Sequence, residues 1–207
     1  MRVPLLTGVL LAALVVAAGC GGGERQDADE PEGSFRLEVA EASFPARQAI
    51  SERSTMRISV RNAERRTVPN VAVTVEIAGA TPGAGAVAFA QSRDDRRLAD
   101  PNRPIWVLDR GPAGGTSAYD NTWSLGPLPA GRSRTFEWQL TAVKAGRYSI
   151  AYRVSPGLAG RARLASGSSQ AGGTFEVEIA DEPVPARVDD DGDVVRGERA
   201  GSGSRSG

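Results

Sequence analysis

Hydrophobic and polar residues alternate most clearly in two neighbouring runs, residues 134–142 and 147–154. Their apolar positions are Phe136, Trp138, Leu140, Ala142, Tyr148, Ile150, Tyr152 and Val154. Successive side chains of a strand point to opposite faces, so each run predicts a strand with one apolar and one polar face. The link between the runs is short and contains Gly146, which predicts that the two strands form a β-hairpin. We expect the hydrophobic core to be centred on these two strands.

The same alternation recurs along the chain and predicts further short strands. They are expected near residues 35–39, 56–60, 71–77, 87–89, 105–108, 119–125 and 175–179. Segments rich in Gly and Pro separate them, and no stretch has the period of an amphipathic helix. The pattern is typical of an all-β fold, and we predict an antiparallel immunoglobulin-like β-sandwich of about seven to nine strands. Residues 34–180 are assigned to this domain, because about 145 residues are enough for one core.

An apolar run at the N-terminus predicts export. Arg2 is followed by residues 3–18, which are almost wholly apolar. The run is shorter than the roughly 20 residues that span a bilayer as a helix, and it fits the hydrophobic region of a secretory signal. Cys20, the only cysteine of the chain, follows closely. The alternatives are an ordinary signal peptide cut near Ala18, which would leave a free thiol, and an uncleaved anchor helix.

Residues 16–20, which read VAAGC, resemble a bacterial lipobox, with Ala17 where Leu or Val is usual. The resemblance implies that residues 1–19 form a lipoprotein signal peptide, that cleavage precedes Cys20, and that lipid is attached to its sulfur. Each buried methylene contributes about 0.8 kcal/mol, so several acyl chains would hold the protein at the bacterial cell membrane, on its extracytoplasmic side. The polar residues 20–33 would then form a disordered tether that begins at the lipidated cysteine.

Charge and composition exclude several functions. The chain carries 25 basic and 25 acidic residues, and this balance predicts no nucleic-acid partner, which would require a basic patch. Histidine is absent, so Ser-His-Asp and Cys-His mechanisms, which need an imidazole base, are excluded. A single cysteine permits no disulfide within the chain. We therefore predict that the protein is not an enzyme and has no cofactor and no metal site.

Without histidine, catalysis would depend on carboxylates, Arg, Tyr or Lys144, and the main candidates are carboxylates in the long insertion of the domain. They are Asp94, Asp95, Asp100, Asp109 and Asp120. A glycoside hydrolase needs two carboxylates about 5–10 Å apart. The simpler interpretation is that these side chains are solvated and form ion pairs with the many arginines nearby. A carboxylate-dependent hydrolase of envelope polysaccharide is therefore kept as an alternative function.

The C-terminal residues 181–207 lack a core pattern and are predicted to form a disordered tail, acidic first and then rich in Gly, Ser and Arg. Acidic residues alternate here, as they do in a calcium-binding loop, at Asp189, Asp191 and Asp193. Arg187 would occupy the first ligand position of such a loop, and a cation there opposes calcium binding. We interpret the acidic run as a solvated charge cluster.

Two aromatic residues, Trp106 and Tyr119, are the candidates for a binding surface. Flat rings offer a large contact area at a low cost in conformational entropy. Residues 105–108 are apolar throughout. If Ile105 and Val107 take the inner face of the strand, the alternation of side chains leaves Trp106 exposed.

Several short motifs resemble the immunoglobulin-like repeats of bacterial surface proteins in the CARDB family. Residues 59–62 (SVRN) and 69–75 (PNVAVTV) are similar to a strand that ends in Val-x-Asn, turns and re-enters as Val-x-Val. Residues 128–131 (LPAG) and 145–148 (AGRY) resemble a turn and a strand start of the same domains. The resemblance implies an immunoglobulin-like fold in which Tyr148 forms a tyrosine corner.

The same resemblance implies a non-catalytic binding or spacer module at the cell surface. It brings no catalytic residues to this chain. The expected partners are the membrane, through lipid on Cys20, and an envelope protein or glycan. An accessory subunit of an envelope complex, which pairs with its partner through a strand edge, is a further alternative.

Overall fold

The computed structural model describes residues 30–79, 88–91, 104–119, 121–166, 168, 171–183, 185–188, 190–192 and 194–196. Within them the chain forms fifteen strands: β1 (Gly33–Phe35), β2 (Leu37–Ser43), β3 (Arg47–Ala49), β4 (Arg53–Asn62), β5 (Ala72–Ile77), β6 (Phe89–Gln91), β7 (Trp106–Arg110), β8 (Thr116–Tyr119), β9 (Thr122–Ser124), β10 (Ser133–Ala142), β11 (Gly146–Ser155), β12 (Ala162–Leu164), β13 (Gly172–Ala180), β14 (Ala186–Val188) and β15 (Val194–Arg196). This part of the chain contains no helix, and hence none long and apolar enough to cross a membrane.

Two sheets form the sandwich. One has five strands in the order β2-β4-β10-β7-β6, and the other has six in the order β3-β13-β11-β5-β9-β8. Neighbouring strands are antiparallel except β6 with β7 and β3 with β13, which are parallel. The short pairs β1 with β12 and β14 with β15 are added to this framework. The prediction of an all-β, immunoglobulin-like sandwich is therefore confirmed.

The inner faces of the two sheets supply the core. In β10 every second side chain from Phe136 onward is buried, and the same holds from Ile150 onward in β11. Trp123 of the six-stranded sheet contacts Trp138 of the five-stranded sheet, with ring centroids 5.4 Å apart. Each fully buried large apolar side chain contributes about 1.5–3 kcal/mol. The prediction that the core is centred on these two strands is confirmed.

The expected hairpin between β10 and β11, however, is wrong. β10 pairs with β4 and β7 in the five-stranded sheet, whereas β11 pairs with β13 and β5 in the other sheet. The link 143–145 therefore crosses the sandwich, and the apolar faces of the two strands bury each other instead of lying side by side. The Tyr148 hydroxyl donates to the Ala145 carbonyl oxygen at 2.9 Å, which fastens this crossing. This hydrogen bond is the predicted tyrosine corner.

A turn interrupts the single strand that the alternation predicts over residues 119–125. β8 and β9 pair with each other in antiparallel fashion, and Asn121 lies between them with a φ of 61°. Asn adopts this left-handed conformation more readily than most residues, because its short side chain can hydrogen-bond locally. Tyr119 and Trp123 thus belong to different strands rather than to one face of the same strand.

Asn62, the last residue of β4, holds together two turns at one end of the sandwich. Its Nδ2 donates to the carbonyl oxygens of Arg66 and Leu128, each at 2.8 Å. Its Oδ1 accepts the backbone N–H of Glu64 at 2.9 Å. The side chain is buried, so each of these bonds replaces one to water. These contacts give a physical reason for the Val-x-Asn strand ending of the sequence motif.

Part of the predicted C-terminal tail is ordered into strands. β14 and β15 pair in antiparallel fashion, with Val188 beside Val194. Gly192 lies in the connection with a φ of 88°, a conformation that glycine adopts without a steric cost. The segment predicted as a tail therefore contains one short hairpin, formed by residues 186–188 and 194–196. β-Branched residues on either side of a glycine-containing turn favour such a pair.

Candidate functional site

Trp106 is buried, so the expectation that its ring is exposed is wrong. The side chain has 0% of its surface exposed. Its indole N–H donates to Gln48 Oε1 at 2.7 Å, and its ring lies 5.4 Å from that of Phe44. The alternation along β7 has the opposite phase to the one expected, since Trp106 and Leu108 belong to the core and Val107 does not. Trp106 is a core residue and not part of a binding surface.

A buried polar network surrounds that indole. Gln48 Oε1 also accepts the Ser54 hydroxyl at 3.3 Å, and Gln48 Nε2 donates to the Pro45 carbonyl oxygen at 3.0 Å. Gln48 lies in β3 of the six-stranded sheet, and Trp106 lies in β7 of the five-stranded sheet. The hydrogen bond between them therefore joins the two sheets inside the sandwich.

Apart from Asp109 and Asp191, the remaining predicted site residues lie outside the described residues or outside the described side chains. Tyr119 ends β8, but its side chain is not among those that the structure describes. Those outside the described residues are Cys20, Asp94, Asp95, Asp100, Asp120, Asp189 and Asp193. In the described part of the chain, no three or more His, Cys, Asp or Glu side chains are grouped so that they could hold a metal ion.

Asp109 is the one described carboxylate among the catalytic candidates. Its Oδ2 lies 3.3 Å from Arg53 Nε and accepts the Thr141 hydroxyl at 2.7 Å. Thr141 lies on β10, the strand next to β7, whereas Arg53 lies on β4 and reaches Asp109 from beyond β10. Asp109 therefore forms an ion pair, but with an arginine distant in sequence rather than with one of the nearby arginines that the simpler interpretation expects.

Ion pairs of this kind extend across the outer faces of both sheets. They are Arg57–Glu137 at 2.8 Å, Arg61–Glu38 at 3.7 Å, Arg147–Glu178 at 3.2 Å and Arg153–Glu76 at 3.5 Å. In each pair the two residues lie on neighbouring strands, directly opposite each other in the first three pairs and diagonally in the fourth, and both arrangements are close enough for long side chains to interact. The outer faces are therefore hydrophilic and carry charges of both signs.

One strand edge of the six-stranded sheet is open. β3 pairs with β13 only at residues 178–180, and no other described strand pairs with the outer side of β13. Glu178 N–H donates to the Ala46 carbonyl oxygen on this side. Because the direction of the backbone alternates along a strand, the N–H and C=O groups of Thr174 and Glu176 point the same way, toward the open edge.

A second polar feature lies where the N-terminal segment meets the sandwich. We call residues 30–36 the arm and residues 157–162 the cradle. The Glu30 side chain is only 8% exposed, and its carboxylate accepts four backbone N–H groups of the cradle. Oε2 accepts those of Leu158 at 2.5 Å and Ala159 at 2.8 Å. Oε1 accepts those of Arg161 and Ala162, each at 2.8 Å.

These contacts determine the protonation of Glu30. Burial by itself raises the pKa of the Glu30 carboxyl, because it removes water from the charged form. The four backbone N–H groups favour the charged form more strongly, and together they lower the pKa below its ordinary value of 4.5. Glu30 is therefore a carboxylate at neutral pH, held by hydrogen bonds to a charged acceptor, which are among the stronger hydrogen bonds of proteins.

Gly157 makes room for this carboxylate. A Cβ atom at Gly157 would lie 2.4 Å from the carboxyl carbon of Glu30 and 2.5 Å from each oxygen. Gly160 has a φ of +77°, which lets successive N–H groups converge. Arg163 Nε donates to the Gly160 carbonyl oxygen at 3.2 Å and supports the turn from outside. The two glycines thus allow the cradle to enclose an anion.

The rest of the arm is fastened on both sides. β1 pairs in parallel with β12, and Ala165 N–H donates to the Phe35 carbonyl oxygen at 2.8 Å. Phe35 is buried, and the guanidinium carbon of Arg66 lies 4.2 Å from the centre of its ring, a cation–π distance. Arg66 also donates to the Ser34 carbonyl oxygen at 2.5 Å. Residues 30–33, at the end of the segment predicted as a tether, are therefore held against the sandwich.

Neither a family model nor a curated protein matches the chain. Among solved structures, it is similar to the crystal structure of a CARDB domain from Pyrococcus furiosus, with 16% identity and a TM-score of 0.44, over 72% of this chain and 98% of that one. The solution structure of the same domain is 16% identical, with a TM-score of 0.45, over 72% of this chain and 100% of that one. A part of Escherichia coli α2-macroglobulin is 15% identical, with a TM-score of 0.41, over 74% of this chain and 18% of that one. These similarities concern the fold alone.

Proposed function

We propose that this protein is a non-catalytic, lipid-anchored, extracytoplasmic binding or spacer module at the bacterial cell surface. The observation that supports the non-catalytic role is the packing of the interior. Aromatic rings of both sheets and of the connection after β2 meet there, in the pairs Tyr152–Phe175 at 5.1 Å, Phe44–Trp106 at 5.4 Å and Trp123–Trp138 at 5.4 Å. Because side chains fill the space between the sheets, an envelope protein or glycan would be bound by the outer surface of the domain.

The lipid anchor is supported by the N-terminal sequence, in which the apolar residues 3–18 precede the lone Cys20. Expression of Cys20→Ala in a bacterium, beside wild type and the control Gly21→Ala, tests it. We expect wild type and the control to incorporate labelled palmitate and to sediment with membranes, and Cys20→Ala to do neither. A Cys20→Ala protein that still carries label or sediments with membranes would contradict the proposal.

A second candidate function, an accessory subunit of an envelope complex, is favoured by the open edge of β13. A partner strand could pair with the outward N–H and C=O groups of Thr174 and Glu176, as in β-strand addition. Thr174→Pro removes the outward N–H at a position where an edge strand tolerates proline, while Thr174→Ala keeps it. We expect a partner that co-purifies in detergent to be lost with Thr174→Pro only. A chain that purifies alone, or a partner retained by both variants, rejects this candidate.

A further inference from the structure

The cradle has the construction of an anion-binding site. Converging backbone N–H groups form a concave site for negative charge without a charged side chain of their own. Here four such groups meet the two oxygens of one carboxylate. We propose that residues 157–162 form a carboxylate-binding site, and that Glu30 is its internal and releasable ligand, so that the cradle acts as a latch for the N-terminal arm.

The shape of the cradle selects for a carboxylate. Each oxygen of Glu30 faces two N–H donors, so both ends of the ligand must be acceptors. A carboxylate meets this requirement, whereas the NH2 group of an amide would face donors with a donor. Gly157 leaves space for the carboxyl carbon and for nothing larger at that point. The cradle therefore distinguishes a carboxylate from a neutral group of the same shape.

The charges nearby also favour an anion. Arg161 and Arg163 lie in and beside the cradle, and Arg66 contacts the arm at Ser34 and Phe35. Glu32, which is exposed, is the acidic neighbour on the arm itself. Among the described residues that contact the arm and the cradle, which also include Glu64 as the acceptor of the Arg36 N–H, basic groups outnumber acidic ones. The ligand is nevertheless part of the chain, which raises its effective concentration at the site.

Release of the latch would change the reach of the domain, an inference that rests on the proposed anchor at Cys20. With Glu30 bound, the chain is held at the sandwich ten positions after Cys20. Freeing residues 30–32, the part of the arm before β1, would add about 10 Å of extended chain, at about 3.5 Å per residue. The latch would therefore set how far the sandwich stands from the membrane.

Hydrogen exchange of the full-length chain in detergent tests the latch. We compare wild type with Glu30→Gln and with the matched control Glu32→Gln, which changes the same charge two residues away. Peptides that cover residues 158–162 should exchange about 10- to 100-fold faster in Glu30→Gln, the loss expected for hydrogen bonds to a charged group, and should be unchanged in the control. Equal protection in all three proteins would overturn the proposal. Peptides from β10 report whether the sandwich itself remains folded.

Gly157→Ala provides a second variant in which the acid is intact. Because the added methyl group would occupy the place of the Glu30 carboxyl group, the same peptides should lose protection although no charge has changed. Protection equal to that of wild type would show that the carboxylate does not lie against Gly157 and would contradict the proposal.

Acetate tests whether the vacated cradle binds carboxylates as a class. In Glu30→Ala, sodium acetate should slow exchange in residues 158–162, while acetamide in sodium chloride of equal ionic strength should not. Wild type should respond to neither, because Glu30 fills the site. A Glu30→Ala protein that acetate does not affect, or that acetamide affects equally, rejects the proposal. None of these readouts depends on lipid at Cys20, so their failure is distinct from failure of the proposed anchoring.

Discussion

The polar groups inside the fold and those on its outer faces have similar hydrogen-bond lengths but different surroundings. Glu30 accepts the Ala162 N–H at 2.8 Å, and Glu137 accepts from Arg57 Nε at the same distance. The Arg57 and Glu137 side chains, however, are 51% and 42% exposed. Water competes for such a pair, and its net contribution is about 0–1 kcal/mol. The length of these hydrogen bonds therefore does not indicate how much each contributes to stability. The burial of the groups that form them does.

The buried groups also differ from the surface pairs in how they are held. The surface pairs join two long side chains, which must lose conformational entropy to meet. Glu30 and Asn62 instead bond to backbone groups that the fold already fixes in place. When a buried side chain of this kind is removed, each of its backbone partners loses a hydrogen bond that water does not readily replace. Four experiments measure how buried and surface polar groups differ in their contribution to stability. The first three follow from the largest expected change in free energy to the smallest.

The largest effect is expected for Asn62→Ala. The substitution removes three hydrogen bonds and leaves the buried Leu128 carbonyl oxygen without that donor. We expect the free energy of unfolding to fall by about 2–4 kcal/mol, measured by urea denaturation. Ser59→Ala, at a partly exposed position of the same strand whose hydroxyl accepts only one solvent-exposed hydrogen bond, should change it by less than about 0.5 kcal/mol. Equal effects of the two substitutions would contradict the ranking by burial.

A smaller decrease in the free energy of unfolding is expected for Glu30→Gln at pH 7. The amide oxygen keeps two N–H donors, and the amide nitrogen opposes the other two. We expect a decrease of about 1.5–3 kcal/mol in the free energy of unfolding, the range for hydrogen bonds to charged groups. Glu32→Gln serves as the control and should stay within about 0.5 kcal/mol of wild type. If Glu30→Gln were as stable as wild type, the carboxylate would not hold the arm.

The smallest effect is expected for the surface pair of Arg57 and Glu137. A double-mutant cycle with Arg57→Gln and Glu137→Gln isolates the interaction between them. We expect a coupling free energy of about 0–1 kcal/mol that weakens at high salt. A coupling above about 2 kcal/mol would show that exposure does not decide the energy of these contacts.

The sequence predicts the strands well, because a period of two reports directly which residues face the core. It does not predict which strands pair, because alternation marks the face of a strand and not its neighbour. The link after Ala142 illustrates this limit. Its length and glycine indicate a hairpin, whereas Tyr148 indicates a corner between sheets. The structure contains the corner and not the hairpin. Side-chain chemistry was here a better guide than link length.

Two errors at single residues have related causes. All of residues 105–108 are apolar, so the phase of the alternation is ambiguous, and Trp106 was assigned to the wrong face. Glu30 lies in a polar segment and contacts a loop 128 or more residues away in sequence. The donors of that loop are backbone N–H groups, which nearly every residue has. Only Gly157 and Gly160 give a local signal, and glycines are common in this chain.

The pH dependence of stability in wild type and Glu30→Gln tests most directly that a buried carboxylate fastens the arm. The pKa of Glu30 is lowered in the folded protein, so its stabilisation is present above the unfolded value near 4.5 and is lost as pH falls through the folded pKa. The difference in unfolding free energy between the two proteins should therefore be constant near neutral pH and shrink below about pH 4.5. Contributions shared by other carboxylates cancel in this difference. A difference that stays the same down to pH 3, or that is absent at pH 7, would contradict this account.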